Sequence, residues 1–239
     1  MSSNLVARIA GAMYLVVAVF GGFAEYTRSS ALVAGDPQAT AANVAAHATQ
    51  FRLAFAADLT DLPFFLGVGL ILYVILKPVN PSVALAMLVI NAVSVAIQAM
   101  NMLNHAAALM VATDPGLTAG LSTASTQSLV LGFLEMHRVG YLIAQIFFGL
   151  YLLPLGILVY RSGYFSKALG AILTLGFAGY ALGVAVSFGS PNFDSSVATY
   201  FGLVGGLAEL AFLLWLLVKG AAVESRPLTS IGGAVAWRA

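Results

Sequence analysis

Acid–base chemistry has few residues to draw on in this chain. There are nine Asp and Glu, ten Lys and Arg, three His and no Cys among 239 residues. Lack of cysteine excludes disulfides, thiol nucleophiles, thiolate zinc sites and iron–sulfur clusters. The remaining polar residues are patterned. Asn91, Ser94, Gln98, Asn101 and His105 recur at three- and four-residue steps, which makes one continuous helix face. Asp58 and Asp61 share a face, and His137, Tyr141 and Gln145 form another stripe with Arg138 beside it. Glu209 stands in a long apolar run. A carboxyl group kept neutral by such surroundings can protonate an olefin, epoxide or carbonyl, and a second carboxylate can take up a proton. Glu209, Asp58 and Asp61 are therefore the candidate catalytic residues. No motif selects a reaction: Ser-His-Asp spacing, H-E-x-x-H and a Gly-rich phosphate loop are all missing from the sequence.

The elements that must position these residues follow from composition. Hydrophobic residues make up 61% of the chain and charged ones 8%, with a mean hydropathy of +0.97. A soluble domain carries roughly 25% charged residues, so disorder, a coiled coil and a free-standing water-soluble enzyme are excluded. A net charge of +1 offers no basis for a nucleic-acid partner. A spanning helix needs about 20 mostly apolar residues. Segments at about 9–27, 55–76, 82–112, 126–160, 166–188 and 198–219 satisfy that requirement. The fold expected is an all-α integral membrane protein, a six-transmembrane-helix bundle, with residues 1–220 as one domain and 221–239 as a cytoplasmic tail. The first segment reads as a retained span, since it has a single positive charge and no A-x-A site. Asp36-Pro37 should cap an extramembrane helix over 37–50. Lys77 to Pro81, Asp114-Pro115-Gly116, Arg161-Ser162-Gly163 and Ser190-Pro191-Asn192 punctuate the connections.

Charge asymmetry orients the bundle. Arg8, Lys77, Arg161, Lys167, Lys219, Arg226 and Arg238 flank one side, against Arg28, Arg52 and Arg138 on the other. The acids Glu25, Asp36, Asp58, Asp61, Asp114, Glu135 and Asp194 lie toward the second side. The positive-inside rule then makes both termini cytoplasmic, in a bacterial inner (plasma) membrane. Counted at about 1.5 Å per residue from Lys219, Glu209 lies near mid-membrane, level with Asn91 and Tyr151, its expected hydrogen-bond partners. A charge is costly at that depth, so Glu209 should be neutral or strongly hydrogen-bonded. Above it come Glu25, Asp61, Gln98 and Gln145, then Arg52, Asp58, Asn101, Asn104, His105, Glu135, His137 and Arg138. Spans 3 and 4 reach roughly 46 and 52 Å if helical throughout, so they project past the hydrocarbon or are broken. Pro63 and Pro154 should kink spans 2 and 4. Gly179-x-x-x-Gly183 and Gly202-x-x-x-Gly206 should bring spans 5 and 6 close, and offer a surface for oligomerisation.

Ala7-Arg8-Ile9-Ala10-Gly11, Phe51-Arg52 ahead of Asp58, and His137-Arg138-Val139-Gly140 carry a resemblance. So do the stretch from Gly156 to Gly163 and Glu209 ahead of Trp215 to Gly220. Over about residues 7–220 the chain resembles a bacterial multi-pass membrane family known only as a domain of unknown function. The resemblance implies one compact membrane domain and transfers no activity. The polar faces suggest an outward-facing cleft that binds or handles a small amphiphilic, lipid- or isoprenoid-like molecule. Its ligand-binding candidates are Arg52, Asp58, Asp61, Asn91, Gln98, Asn101, Asn104, His105, His137, Arg138, Tyr141, Gln145 and Glu209. Arg138 or Arg52 would take an anionic head, with Glu209 and Asn91 at the buried end. An intramembrane enzyme using the buried carboxylates, and a proton-coupled transporter with Glu209 as relay, are the alternatives. His105 and His137 leave a bis-histidine haem, or a metal held with Asp58, as lesser possibilities. The reading adopted has no cofactor and no metal.

Overall fold

A computed structural model describes residues 3–190 and 196–222. Asp194, Arg226 and Arg238, the turn at Pro191-Asn192 and most of the 221–239 tail lie outside the described residues. The chain forms seven helices in the described residues: α1 (Ser3–Ala31), α2 (Pro37–Ala46), α3 (Ala48–Leu76), α4 (Pro81–Thr113), α5 (Thr123–Ser162), α6 (Lys167–Gly189) and α7 (Ser196–Val218). Six of them are long and apolar enough to cross a membrane, and α2 is the exception. The protein is a multi-pass helical membrane protein.

Local chemistry sets the ends. The Asp36 side chain accepts from the Ala39 N–H at 2.9 Å, and Asn80 does the same for Val83 at 3.1 Å, each with proline at the first helical position. Gly163 closes α5 in the left-handed region at φ 68°, where a side chain would be strained. The extramembrane helix expected over 37–50 stops at Ala46. His47 then breaks the chain, and α3 starts at Ala48, well before the expected 55. Pro63 and Pro154 stay within continuous helices.

The two longest helices are unbroken, with 33 residues in α4 and 40 in α5. At about 50 and 60 Å they overrun a hydrocarbon layer of about 30 Å. Helix α2 packs over their projecting ends, where Val44 joins Val111, Val130 and Leu134 in a small apolar cluster. Each spanning helix packs on its neighbour in sequence, and α7 returns to α1 and closes a ring. Short connections make such neighbours antiparallel. At the opposite end from α2, the larger core joins Leu76, Phe165, Leu169 and Leu216.

Small residues govern how closely the ring shuts there. A methyl on Gly11 of α1 would lie 2.8 Å from the Leu217 nitrogen, and one on Gly156 of α5 would lie 2.8 Å from the Gly170 oxygen. The α6–α7 contact uses Gly176 and Gly179 on one side and Gly205 on the other. Gly202 and Gly206, expected to form that contact, have open space where a side chain would project. The outward faces are Leu, Val and Met, with Leu207 63% and Met100 67% exposed, as lipid-facing surfaces require.

Candidate functional site

All six spans contribute to one cavity of ≈ 260 Å³ inside the ring. Its floor is built on Glu209. Tyr14 of α1 donates its hydroxyl to Glu209 Oε1 at 2.5 Å, and Tyr180 of α6 donates to Oε2 at 2.7 Å. Gly205, one turn before Glu209, lets the Tyr180 ring lie flat against α7, so the hydroxyl can reach the carboxyl group. Two hydroxyl partners hold the carboxyl group in place without a cation. The wall above is aromatic. Phe65 packs on Tyr14, Phe148 and Tyr151 with centroids 5.7 to 6.0 Å apart, and Tyr141 lies 6.2 Å from Phe148.

At the α2 end the cavity is roofed by Arg28, which is 6% exposed. It donates to the Asp58 carboxylate through Nη1 and to Glu25 through Nη2 at 3.1 Å. His105 Nδ1 lies 3.3 Å from the same Nη1, and His105 Nε2 lies 3.0 Å from the Phe51 carbonyl. A ring N–H donating to that carbonyl leaves the Nδ1 lone pair facing the guanidinium. Phe51, Phe55 and His137 pack around the His105 ring. Every strong partner of Arg28 is an acceptor, as burial of a guanidinium demands.

Between roof and floor, Gln98 and Asp61 are each 9% exposed and line the cavity. The Gln98 carbonyl oxygen is buried with no hydrogen-bond partner among the described residues. Asp61 lies over Gly21, where an added methyl would sit 3.1 Å from its Oδ2.

Five sequence candidates line this cavity: Asp58, Asp61, Gln98, Tyr141 and Glu209. The others are placed elsewhere. Arg52 is exposed on the outer face of α3. Arg138 pairs with Glu135 at 2.8 Å, so neither arginine is placed to take an anionic head in the cavity. Asn91 is buried against Gly69 and donates to the Phe65 carbonyl at 3.5 Å, and the buried Tyr151 hydroxyl has no partner among the described residues. The expected partners of Glu209 are thus replaced by Tyr14 and Tyr180. Asn101 and His137 bridge α4 and α5. The Asn101 amide donates to the His137 carbonyl at 2.9 Å, and His137 Nδ1 lies 3.2 Å from the Asn101 carbonyl. Asn104 donates to Asn101 at 3.0 Å, and Gln145 is half-buried outside the cavity lining. Gly140 makes that bridge possible, because a side chain there would meet the Asn101 amide.

Three cavity residues escape a sequence reading: Tyr14, Tyr180 and Arg28. The depth count does reach one of them. Tyr180 lies thirteen residues from Lys167 and Glu209 ten from Lys219, levels about 5 Å apart. Both ring nitrogens of His105 are engaged, Nε2 with the Phe51 carbonyl and Nδ1 beside Arg28, so the ring has no nitrogen free to ligate a haem iron. Among the described residues, no group of three or more His, Asp or Glu is placed to hold a metal ion.

No solved structure matches this chain. A stretch of 88 residues, 37% of the chain, is 35% identical to an uncharacterized protein of Archaeoglobus fulgidus and covers 48% of it, so the chain spans about half the length of that curated relative. The domain of unknown function DUF4386 matches residues 9–220, and the chain belongs to that family.

Proposed function

We propose that the protein binds a small amphiphilic molecule inside the ring of spans. The observation that carries this reading is the cavity's composition: an aromatic wall together with the Asp61 carboxyl group and a buried Gln98 oxygen that has no hydrogen-bond partner among the described residues. A buried amide oxygen without a partner costs about 1–3 kcal/mol, a cost that a bound ligand removes. Native mass spectrometry of the gently solubilised protein tests it. A stoichiometric adduct, lost in Glu209→Gln and Gln98→Leu, is expected; a bare protein mass in lipid-replete extracts overturns it.

The setting belongs to the same proposal. The bundle sits in a bacterial plasma membrane with both termini cytoplasmic and α2 outside. Supporting this, Lys77, Lys167 and Lys219 lie over Tyr73, Tyr160 and Trp215 at the end opposite α2, the pairing of cation and aromatic typical of a membrane interface. The chain has no cysteine, so Ala45→Cys in α2 gives a single thiol. Labelling by an impermeant maleimide in whole cells is expected, and protection until lysis reverses the orientation.

One observation favours proton-coupled transport as a second reading. Glu209, Asp61 and Asp58 line the same cavity from its floor to its roof. Substrate-dependent proton uptake by proteoliposomes that vanishes in Glu209→Gln would select it over simple binding.

A further inference from the structure

The cavity has a mouth, and its place is legible from which lining residues are exposed. Ala18, Gly22 and Glu25 of α1, with Gly206 and Leu210 of α7, are the exposed members of the lining among the described residues. On α1 they fall at i, i+4 and i+7, and on α7 at i and i+4, so each set is one helix face. The two faces border the seam where the ring closes. Below Glu209 that seam is tight, with Gly11 against Leu216 and Leu217 and Arg8 donating to the Val218 carbonyl at 3.0 Å. Toward the α2 end it parts, and a side chain built on Gly22 or Gly206 meets nothing within 4 Å among the described residues. Arg28, Asp58 and His105 are buried across the end itself. Both helices bordering the slot are membrane spans, so it opens sideways onto the bilayer.

Charge in the cavity selects the kind of molecule. Four acids, Glu25, Asp58, Asp61 and Glu209, line it against the single base Arg28, whose two Nη atoms are bound to Glu25 and Asp58 and whose buried Nε alone has no partner among the described residues. Among the described residues, Asp61 and Glu209 form no ion pair with a cation and the buried Gln98 oxygen lacks a donor. A head that carries positive charge and N–H donors complements all three. A carboxylate or phosphate head would join four acids, with only the buried Nε of Arg28 left to receive it.

Resting on the binding function proposed above, we infer that the slot between α1 and α7 is a lateral portal through which a single-chain amphiphile with a protonated amine head enters from the bilayer. Its head meets Asp61, Gln98 and Glu209, and its tail lies across Gly22 and Gly206 into lipid. Glycine at both positions is then a requirement of the tail rather than of helix packing.

The test uses full-length protein in nanodiscs of phosphatidylcholine and phosphatidylglycerol, with hexadecylamine and butylamine as probes and retained probe read by native mass spectrometry. Wild type is expected to retain both amines and to retain hexadecanoate at least tenfold less than hexadecylamine. Gly22→Leu/Gly206→Leu should lower hexadecylamine retention at least tenfold. Butylamine, whose chain ends inside the cavity, should change less than twofold. Glu209→Gln should lower both amines. To close the slot in protein already folded, Gly22→Cys is reconstituted and alkylated with N-phenylmaleimide, and the same selective loss is expected.

Unchanged hexadecylamine retention in the blocked proteins, with loss in Glu209→Gln, overturns the portal and leaves the binding function standing. Equal retention of hexadecanoate overturns the amine head. A wild type that retains neither amine but carries a different stoichiometric adduct also overturns this inference alone. A wild type that carries no adduct of any kind overturns the binding function with it.

Discussion

The roof and the floor of the cavity each hold a carboxyl group, and they do so by opposite means. Asp58 at the roof faces the guanidinium of Arg28, which is also bound to Glu25 and lies against His105. Glu209 at the floor faces two tyrosine hydroxyls and no cation. An ion pair of this kind is committed. Removing either member leaves a buried charge that the surroundings cannot answer. A carboxyl group held by hydroxyls is adaptable, because a hydroxyl can donate to a carboxylate or accept from a carboxylic acid. The roof therefore reads as architecture, a clamp that ties α1 to α3 beneath the α2 end. The floor reads as the working end, where a proton or a cationic group can be exchanged without dismantling the bundle.

That contrast sets out predictions for stability, taken from the largest expected effect downward. Arg28→Met should be the most damaging single change, at about 3–5 kcal/mol, because it strands Asp58. Adding Asp58→Asn should restore much of the loss, and equal destabilisation in the single and double variants would remove the clamp from the account. Denaturation in mixed detergent micelles reads both. Gly205→Val should cost about 1–3 kcal/mol through overpacking against the Tyr180 ring, and should weaken ligand retention with it. If retention survives while stability falls, Tyr180 is not what positions Glu209. Tyr14→Phe and Tyr180→Phe should each cost about 1 kcal/mol or less, the usual worth of one hydrogen bond within a membrane bundle. Glu209→Gln should change stability least among the cavity variants, by under about 1 kcal/mol, since an amide still accepts from one tyrosine. Its effect should appear in ligand retention instead. A Glu209→Gln protein as unstable as Arg28→Met would erase the distinction between floor and roof. Arg52→Ala, on the exposed face of α3, should stay within about 0.5 kcal/mol and serves as the baseline.

Much of the interior was legible before any packing was known. Asn91, Ser94, Gln98, Asn101 and His105 are all buried on α4, because a helical period of 3.6 gathers polar residues at those steps on one side and lipid tolerates none of them on the other. Asp58 and Asp61 are both buried on α3 for the same reason. Pairing across helices was not legible. Tyr14 and Glu209 lie 195 positions apart, and nothing local to either announces the other. Arg28 looked like one more basic residue near a helix end. It became the centre of the roof because α1 runs to Ala31 and carries its side chain against α3. The glycine reading held on α6, where Gly179 packs on Phe201 and Val204, and failed on α7 in register by one residue. Gly205 takes the packing role, and its neighbour Gly206 faces the open slot, since adjacent helix positions are turned about 100° apart.

Sequence alone determined that the chain has six helices able to cross a membrane, and which faces of α3 and α4 turn inward. Both follow from the cost of exposing polar groups to hydrocarbon, a property that each segment carries by itself. Tertiary structure decided which side chains meet, where the ring leaves a gap and which carboxyl group receives a cation. Those outcomes depend on how closely neighbouring helices approach, and that distance is a property of pairs of surfaces rather than of any one segment.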